Sequence, residues 1–338
     1  MELEFAQSIL SNFGLKESIF SVKRIESGLI NSTLIVNSKT NSYILQAINT
    51  NVFPNYEDGL ENILTVGNWL KKKNYPYFFP LPIKGEYLKV KNEIWRLMPF
   101  VKNSISYNRV SSLDQVKCAA NCLGEFYHYL SDFKTKNLLI TLPNFHNGNF
   151  IIKKFKEALT NGNKSRKLLS KPIINEISNE LPILKKWDEV CNSMPIRVVH
   201  YDTKINNFLF DKKTDEVLAI IDFDTLMPGC VLSDIGDMIR TYSNPVGEES
   251  KEIEKVVCNR EIVNVIIKEF AKTASLEKKE KESLFFGGLA IIFMQCVRFL
   301  NDYLNGDSYY KISYQNQNLI RAKNQWALYL SLRKIKAL

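Results

Sequence analysis

The segment from Ile196 to Arg240, IRVVHYDTKINNFLFDKKTDEVLAIIDFDTLMPGCVLSDIGDMIR, constrains the fold more than any other stretch of the chain. A short apolar run, Ile196–Val199, meets a polar loop, and two more apolar runs follow at Phe208–Phe210 and Val217–Ile221. A turn rich in Asp, Lys and Thr separates the last two, which is the pattern of a β-hairpin. Polar groups collect where the apolar runs stop. His200, Asp202 and Asn207 precede the hairpin, and Asp222 and Asp224 stand at its exit. A hairpin returns the chain to its start, so the spacing predicts Asn207 and Asp222 side by side, with Asp202 next to them. Two carboxylates and an amide at a strand end can hold Mg2+ and a hydroxyl nucleophile.

The order His-x-Asp-x-x-x-x-Asn, then Asp-Phe after a hairpin, is that of a kinase catalytic loop followed by its metal loop. The competing reading is a solvated turn whose Asp and Asn serve only local turn chemistry. Asp224, two residues on, is a second candidate for the metal.

The rest of the chain supplies a setting for such a site. Residues 2–13 read as an amphipathic helix. Val22–Glu26 and Thr33–Asn37 read as strands around Ser27-Gly28-Leu29-Ile30-Asn31-Ser32, and Tyr43–Ile48 as another strand. A glycine turn such as that at Gly28 can fold over phosphates through free backbone N–H groups, or be an ordinary hairpin turn. Asn55–Lys73 is helical by periodicity, with Leu60, Ile63, Leu64, Trp69 and Leu70 on one side. Tyr87–Val90 and Ile94–Val101 form a second hairpin around Lys91-Asn92-Glu93. From Ser112 onward the chain turns helical: Leu113–Phe133, Asn149–Leu159, Leu181–Asn192, Lys251–Lys272, Lys279–Leu304 and Asn316–Lys336. Ser233 and Asp234 can cap a further helix carrying Asp237 and Arg240.

These elements predict an α+β, bilobal, protein-kinase-like fold. A small antiparallel-sheet lobe would span residues 1–101 and a large helical lobe 102–338, with ATP in the cleft. Met98-Pro99-Phe100-Val101, leaving the sheet, would face adenine.

A net charge of +9 suits an anionic ligand. No clustered basic stripe with interleaved aromatics accompanies it, so nucleic acid is not the expected partner. The mixed run Glu277–Glu282 reads as a helix face or end. The six cysteines are scattered, mostly in apolar segments and without metal-ligand spacing, which fits a reducing cytosol. Cys118 and Cys122, four apart on a helix, read as buried thiols on one face. The N-terminus lacks the basic start and long apolar core of a signal peptide. The most apolar stretch, Leu284–Val297, is shorter than the roughly 20 residues a spanning helix needs, so a buried core helix is expected and no membrane contact.

The stretches V-V-H-Y-D-T-K-I-N-N-F-L-F and I-I-D-F-D-T-L-M-P-G resemble the aminoglycoside/choline phosphotransferase superfamily. Within it the chain is most similar to the N-acetylhexosamine 1-kinases. The residues that carry this narrower likeness are Gly28–Thr33, Tyr43–Gln46, Ile105–Asn108, Leu142–His146 and Val297–Asp307. The resemblance implies ATP, Mg2+, phosphorylation of the anomeric hydroxyl of N-acetylglucosamine or N-acetylgalactosamine, and a role in amino-sugar salvage; a cytoplasmic monomer is expected. By motif position Asp202 is the base, and Asn207 with Asp222 are the metal ligands. Gly28, Asn31, Met98 and Phe100 would contact the nucleotide. Thr203 and Lys204 would face sugar or phosphates, and Arg298 and Tyr309 the sugar; for these last two, a surface cation and a packing ring are the plain alternatives.

One departure stands out. Kinases carry a strand lysine on the α/β-phosphates, paired with a helix glutamate. The expected strand here offers the neutral Gln46, with Glu61 on the following helix as the old partner. Lys204 or Mg2+ would then meet the phosphate charge. Two other readings stay open: the same fold acting on choline, ethanolamine, homoserine or methylthioribose, and an inactive kinase-like binding module.

Overall fold

The computed structural model describes residues 2–25 and 30–335. They form two compact units: residues up to 105 with 132–143 and 209–228, and residues 106–131 with 144–208 and 229 onward. Two segments that follow residue 101 in sequence therefore pack with the N-terminal part.

In the first unit, α1 (Glu2–Asn12) precedes β1 (Ile19–Ile25), β2 (Ser32–Ser38) and β3 (Ser42–Ile48). After α2 (Tyr56–Lys72) come β4 (Tyr87–Val90) and β5 (Glu93–Pro99). The five strands make one antiparallel sheet in the order β1-β2-β3-β5-β4. Ala6, Ile9, Leu10 and Phe13 recur at helical spacing and bury against Leu34, Val36, Leu45 and Leu97. Each large apolar side chain so buried contributes about 1.5–3 kcal/mol. The opposite face carries a polar row across four strands. Thr33 pairs with Gln46, Gln46 with Arg96, and Arg96 with Tyr87. A second sheet runs β6-β8-β9, from Ser104–Ile105, Phe208–Asp211 and Val217–Ile220. The predicted hairpin is present: Asp211 Oδ1 accepts from the amides of Lys213 (2.7 Å) and Thr214 (3.0 Å), closing the turn.

The second unit contains α3 (Leu113–Tyr129), α4 (Gly148–Asn161), α5 (Lys164–Leu169), α6 (Lys171–Glu180) and α7 (Pro182–Asn192). Strand β7 (Arg197–Val199) leads to the polar loop, and α8 (Leu232–Tyr242), α9 (Arg260–Thr273), α10 (Lys278–Leu304) and α11 (Gln317–Arg333) complete it. By length and composition α10 is apolar enough to cross a membrane, but 67% of its apolar window is buried within the protein. It is the expected core helix. Helix α8 crosses it so closely that a Cβ on Gly236 would come within 2.6 Å of the Gly287 carbonyl oxygen. Helix α8 is buried on nearly every side.

Several sequence expectations are corrected. The run Lys251–Lys272 is not one helix, because Asn259 caps a separate α9 by accepting from the amides of Glu261 and Ile262. Residues 164–180, for which no element was expected, form α5 and α6. Strand β5 stops at Pro99, which lacks an N–H to continue the ladder. Cys122 is buried but Cys118 only partly so. Ser233 and Asp234 do not cap α8; both lie inside its first turn with their side chains bonded elsewhere. Glu280, expected on a solvated face, is fully buried and receives Arg197 through Nε (3.0 Å) and Nη2 (2.6 Å).

Candidate active site

The loop after β7 is fixed from below by Asp234 of α8. Its carboxylate accepts from the amides of His200 (2.9 Å) and Tyr201 (2.6 Å) and from the Tyr127 hydroxyl (2.8 Å). Burial pushes this carboxyl up to about 6, against the pull of His200 and the two amides. Tyr201 adopts a left-handed backbone (φ 67°), which turns the chain so that Asp202 follows at once. Thr203, expected to face sugar or phosphates, is fully buried and its hydroxyl donates to the Asp234 carbonyl (2.6 Å). It is an anchor of the loop, because its one donor is used internally.

Asp202 is met by two neighbours. Asn207 Nδ2 donates to the Asp202 carbonyl (2.8 Å) and to its Oδ2 (2.9 Å), and Lys204 Nζ lies 2.9 Å from the same Oδ2. Burial works to raise the Asp202 pKa. Lys204, with His200 and Asn207, outweighs it and holds the carboxyl below its ordinary value. Asp202 is therefore ionised at neutral pH, as a proton acceptor must be. Asp237 of α8 lies within electrostatic reach. Burial raises its pKa, Arg240 opposes that, and the charge of Asp202 adds to it. Arg240 donates through Nε to Asp237 Oδ1 (2.9 Å).

An aromatic wall continues from Tyr201, whose ring sits 5.7 Å from Phe145 and 5.2 Å from His146. The Arg298 guanidinium stands 4.6 Å over Phe145 and 5.8 Å from the rings of both Tyr309 and Tyr310. Gln295 ties this group together, accepting from Arg298 Nη1 (3.2 Å) and donating to the Tyr310 hydroxyl (3.0 Å). Tyr309 is 49% exposed, so its ring is available to a ligand. Its loop is held by Asp302, whose carboxylate accepts from the amides of Ser308, Tyr309 and Tyr310 at 2.9–3.0 Å. Nothing in the residue pattern around Asp302 marked it as this organiser, since it reads as an ordinary polar position near a helix end.

The remaining candidates belong to the first unit. Asp222 follows β9 in a left-handed conformation (φ 67°), which Asp tolerates better than most residues. The short turn Phe223–Thr225 follows it. The Phe223 ring stacks on Phe79 at 4.3 Å. Asp224 does not stand as an open carboxylate. It is ion-paired with Arg96, which is 3% exposed, and its Oδ2 also accepts from Asn31 Nδ2 (2.6 Å). Removing one member of a buried pair of this kind costs about 3–5 kcal/mol. Asn31 Oδ1 in turn accepts from the Asn49 amide (2.9 Å). Met98 lies opposite Ile44 on β5, and Met98 and Phe100 are both half-buried. Gly28 lies outside the described residues. Glu61 is exposed, and the buried position beside it is Asn62. Arg96 is the residue sequence reasoning missed; its signal was a lone cation inside the otherwise apolar strand Ile94-Trp95-Arg96-Leu97-Met98.

Among the described residues no group of three or more His, Cys, Asp or Glu side chains is arranged to hold a metal ion. The donor chemistry nonetheless fits a hard cation that shares its shell with phosphate oxygens, for which one carboxylate and one amide oxygen suffice. Asn207 directs its Nδ2 at Asp202, which leaves Oδ1 as the atom for a cation.

An antiparallel sheet in the N-terminal part, a helical C-terminal part and a loop that presents an ionised aspartate define a kinase-like phosphotransferase architecture. The Phosphotransferase enzyme family profile matches residues 21–254, more than half of the chain, and the chain belongs to that family. Solved structures share the fold at low identity. An aminoglycoside 2'-phosphotransferase-IIIa in its GDP complex is 17% identical, with a TM-score of 0.61 over 96% of this chain and 98% of its own. An ethanolamine kinase from Plasmodium vivax is 15% identical, with a TM-score of 0.60 over 97% and 88%. A spectinomycin phosphotransferase in complex with ADP and spectinomycin is 12% identical, with a TM-score of 0.60 over 97% and 98%.

Proposed function

We propose that this small-molecule phosphotransferase is an ATP- and Mg2+-dependent kinase of N-acetylhexosamines, forming the 1-phosphate of N-acetylglucosamine or N-acetylgalactosamine. In this reading Asp202 accepts the proton of the anomeric hydroxyl. That oxygen forms a bond to the γ-phosphorus as the bond to the bridging oxygen of ADP breaks. Mg2+, when bound, neutralises charge on the transferring phosphates, and its protein ligands are Asn207 and Asp222. Lys204 fixes the Asp202 carboxylate and is the nearest cation to the acceptor. Asn31, Met98 and Phe100, with Gly28, are the nucleotide contacts of a nucleotide-binding part over residues 1–101, and residues 102–338 hold the catalytic loop and sugar site. The thiols of Cys191, Cys230, Cys258 and Cys296 are free, which supports a reducing, cytoplasmic setting. We take the protein to act as a monomer.

The observation that carries the choice of acceptor is Arg298 over Phe145, at the end of the wall that starts beside Asp202. An aromatic cage for choline or a protonated amine needs open ring faces. Here the protein's own guanidinium covers Phe145 and stands beside Tyr309 and Tyr310, and its charge would repel a cationic acceptor. A neutral sugar suits the same surface: Tyr309 offers a ring face, and Arg298 donors for ring hydroxyls or the acetamido oxygen. With a nonhydrolysable ATP analogue and Mg2+ present, N-acetylglucosamine or N-acetylgalactosamine is expected to raise the melting temperature more than choline, ethanolamine or kanamycin. The largest rise with a cationic acceptor would overturn the assignment.

A further inference from the structure

Gln46 stands where a kinase carries its strand lysine, yet the cation is not missing from this sheet. Arg96 sits directly opposite on the neighbouring strand. Its guanidinium has five N–H donors, and five bonds use them. Nε (2.8 Å) and Nη2 (2.6 Å) donate to Gln46 Oε1, and Nη1 donates to the Tyr87 hydroxyl (3.0 Å). Nη1 and Nη2 then grip the two oxygens of Asp224, the second at 3.0 Å. Gln46 completes the row by donating Nε2 to Thr33 Oγ1 (2.9 Å). A guanidinium with every donor engaged is not waiting for phosphate oxygens. It is an anchor, and what it anchors is the turn that begins at Asp222.

That turn is held from a second side by Asn62, fully buried on α2. Its Nδ2 donates to the Leu226 carbonyl (2.9 Å) and to the Leu139 carbonyl (2.8 Å), and its Oδ1 accepts from the Leu139 amide (2.8 Å). Asp224 and Leu226 are thus pinned by different elements, with Asp222 just ahead of them in an uncommon backbone conformation.

We infer that Arg96 is a positioning residue. Through its fork on Asp224 it fixes the Phe223–Leu226 turn and so sets the orientation of Asp222. The inference rests on the reading of Asp222 as a cation ligand. Arginine is required, because lysine has three donors on a point charge and cannot bridge Gln46, Tyr87 and both Asp224 oxygens.

Arg96→Lys keeps the buried charge and removes the fork. In the ligand-free protein it is expected to speed hydrogen exchange of the Phe223–Leu226 amides by roughly tenfold or more, with the α10 amides unchanged. Calorimetry should show that Mg2+ no longer strengthens binding of the ATP analogue, whereas metal-free analogue binds as in the parent protein. Should Arg96→Lys fail to fold, Asp224→Asn, nearly isosteric, takes the same two measurements. Unchanged exchange at Phe223–Leu226, or faster exchange with the Mg2+ effect intact, would overturn the inference. A parent protein whose analogue binding ignores Mg2+ would instead remove the metal reading of Asp222, and the exchange data would still decide whether Arg96 anchors the turn.

Discussion

Replacing Asp202 by Asn is expected to lower kcat by roughly a hundredfold or more, the usual consequence of removing a positioned base. The substitution preserves shape. The new amide can still meet Asn207 and stay near Lys204, which now stand 2.9 Å from Asp202 Oδ2. What it loses is the negative charge that draws the proton from the attacking hydroxyl. Nucleotide affinity should change little, because the amide oxygen of the new side chain can still accept from Asn207 Nδ2 and leaves that proposed Mg2+ ligand in place. Near-normal kcat at saturating substrates would remove Asp202 from the base role. A collapse in nucleotide affinity would point to a structural function instead.

Asp222 calls for a different signature. Its left-handed backbone makes alanine a poor test, since strain would be added to the loss of the carboxylate. Asp222→Asn tolerates that conformation and removes only the charge. Turnover is expected to fall by about a hundredfold or more, with the Mg2+ concentration for half-maximal rate rising in parallel, because a hard cation loses its one carboxylate ligand. Asp202→Asn should leave the Mg2+ requirement as it was. An identical Mg2+ dependence in Asp222→Asn and the parent protein would exclude Asp222 as a ligand.

The features legible in the sequence were those set by local pattern. The hairpin from Phe208 to Ile220 followed from two apolar runs and a polar turn, and the core helix α10 from its length and apolarity. The loop residues Asp202 and Asn207 followed from spacing, and the structure bonds them to each other. Roles set by register or by distant partners were not legible. Asp234 looked like a cap because Ser-Asp before a helical run is a common start signal. Its carboxylate is instead spent on amides more than 30 residues earlier. Thr203 sat in the right motif position for a ligand contact, and only the burial of the loop shows that its hydroxyl turns inward. Arg96 escaped because its meaning depends on which residue lies across the sheet, and pairing register is not written in either strand alone.

The central claim is that phosphate goes to the anomeric oxygen of a 2-acetamido sugar. That hydroxyl is more acidic than other sugar hydroxyls, because the ring oxygen withdraws electron density. A weak base is enough to accept its proton, and Asp202, held below its ordinary pKa, is a weak base. Anomeric phosphates hydrolyse in mild hot acid, whereas 6-phosphates survive. The enzyme is to be incubated with γ-labelled ATP and, in parallel, N-acetylglucosamine and N-acetylgalactosamine, and any isolated sugar phosphate heated in dilute acid. Release of the label as inorganic phosphate is the expected result; label that stays on the sugar, or no sugar phosphate formed at all, would contradict it.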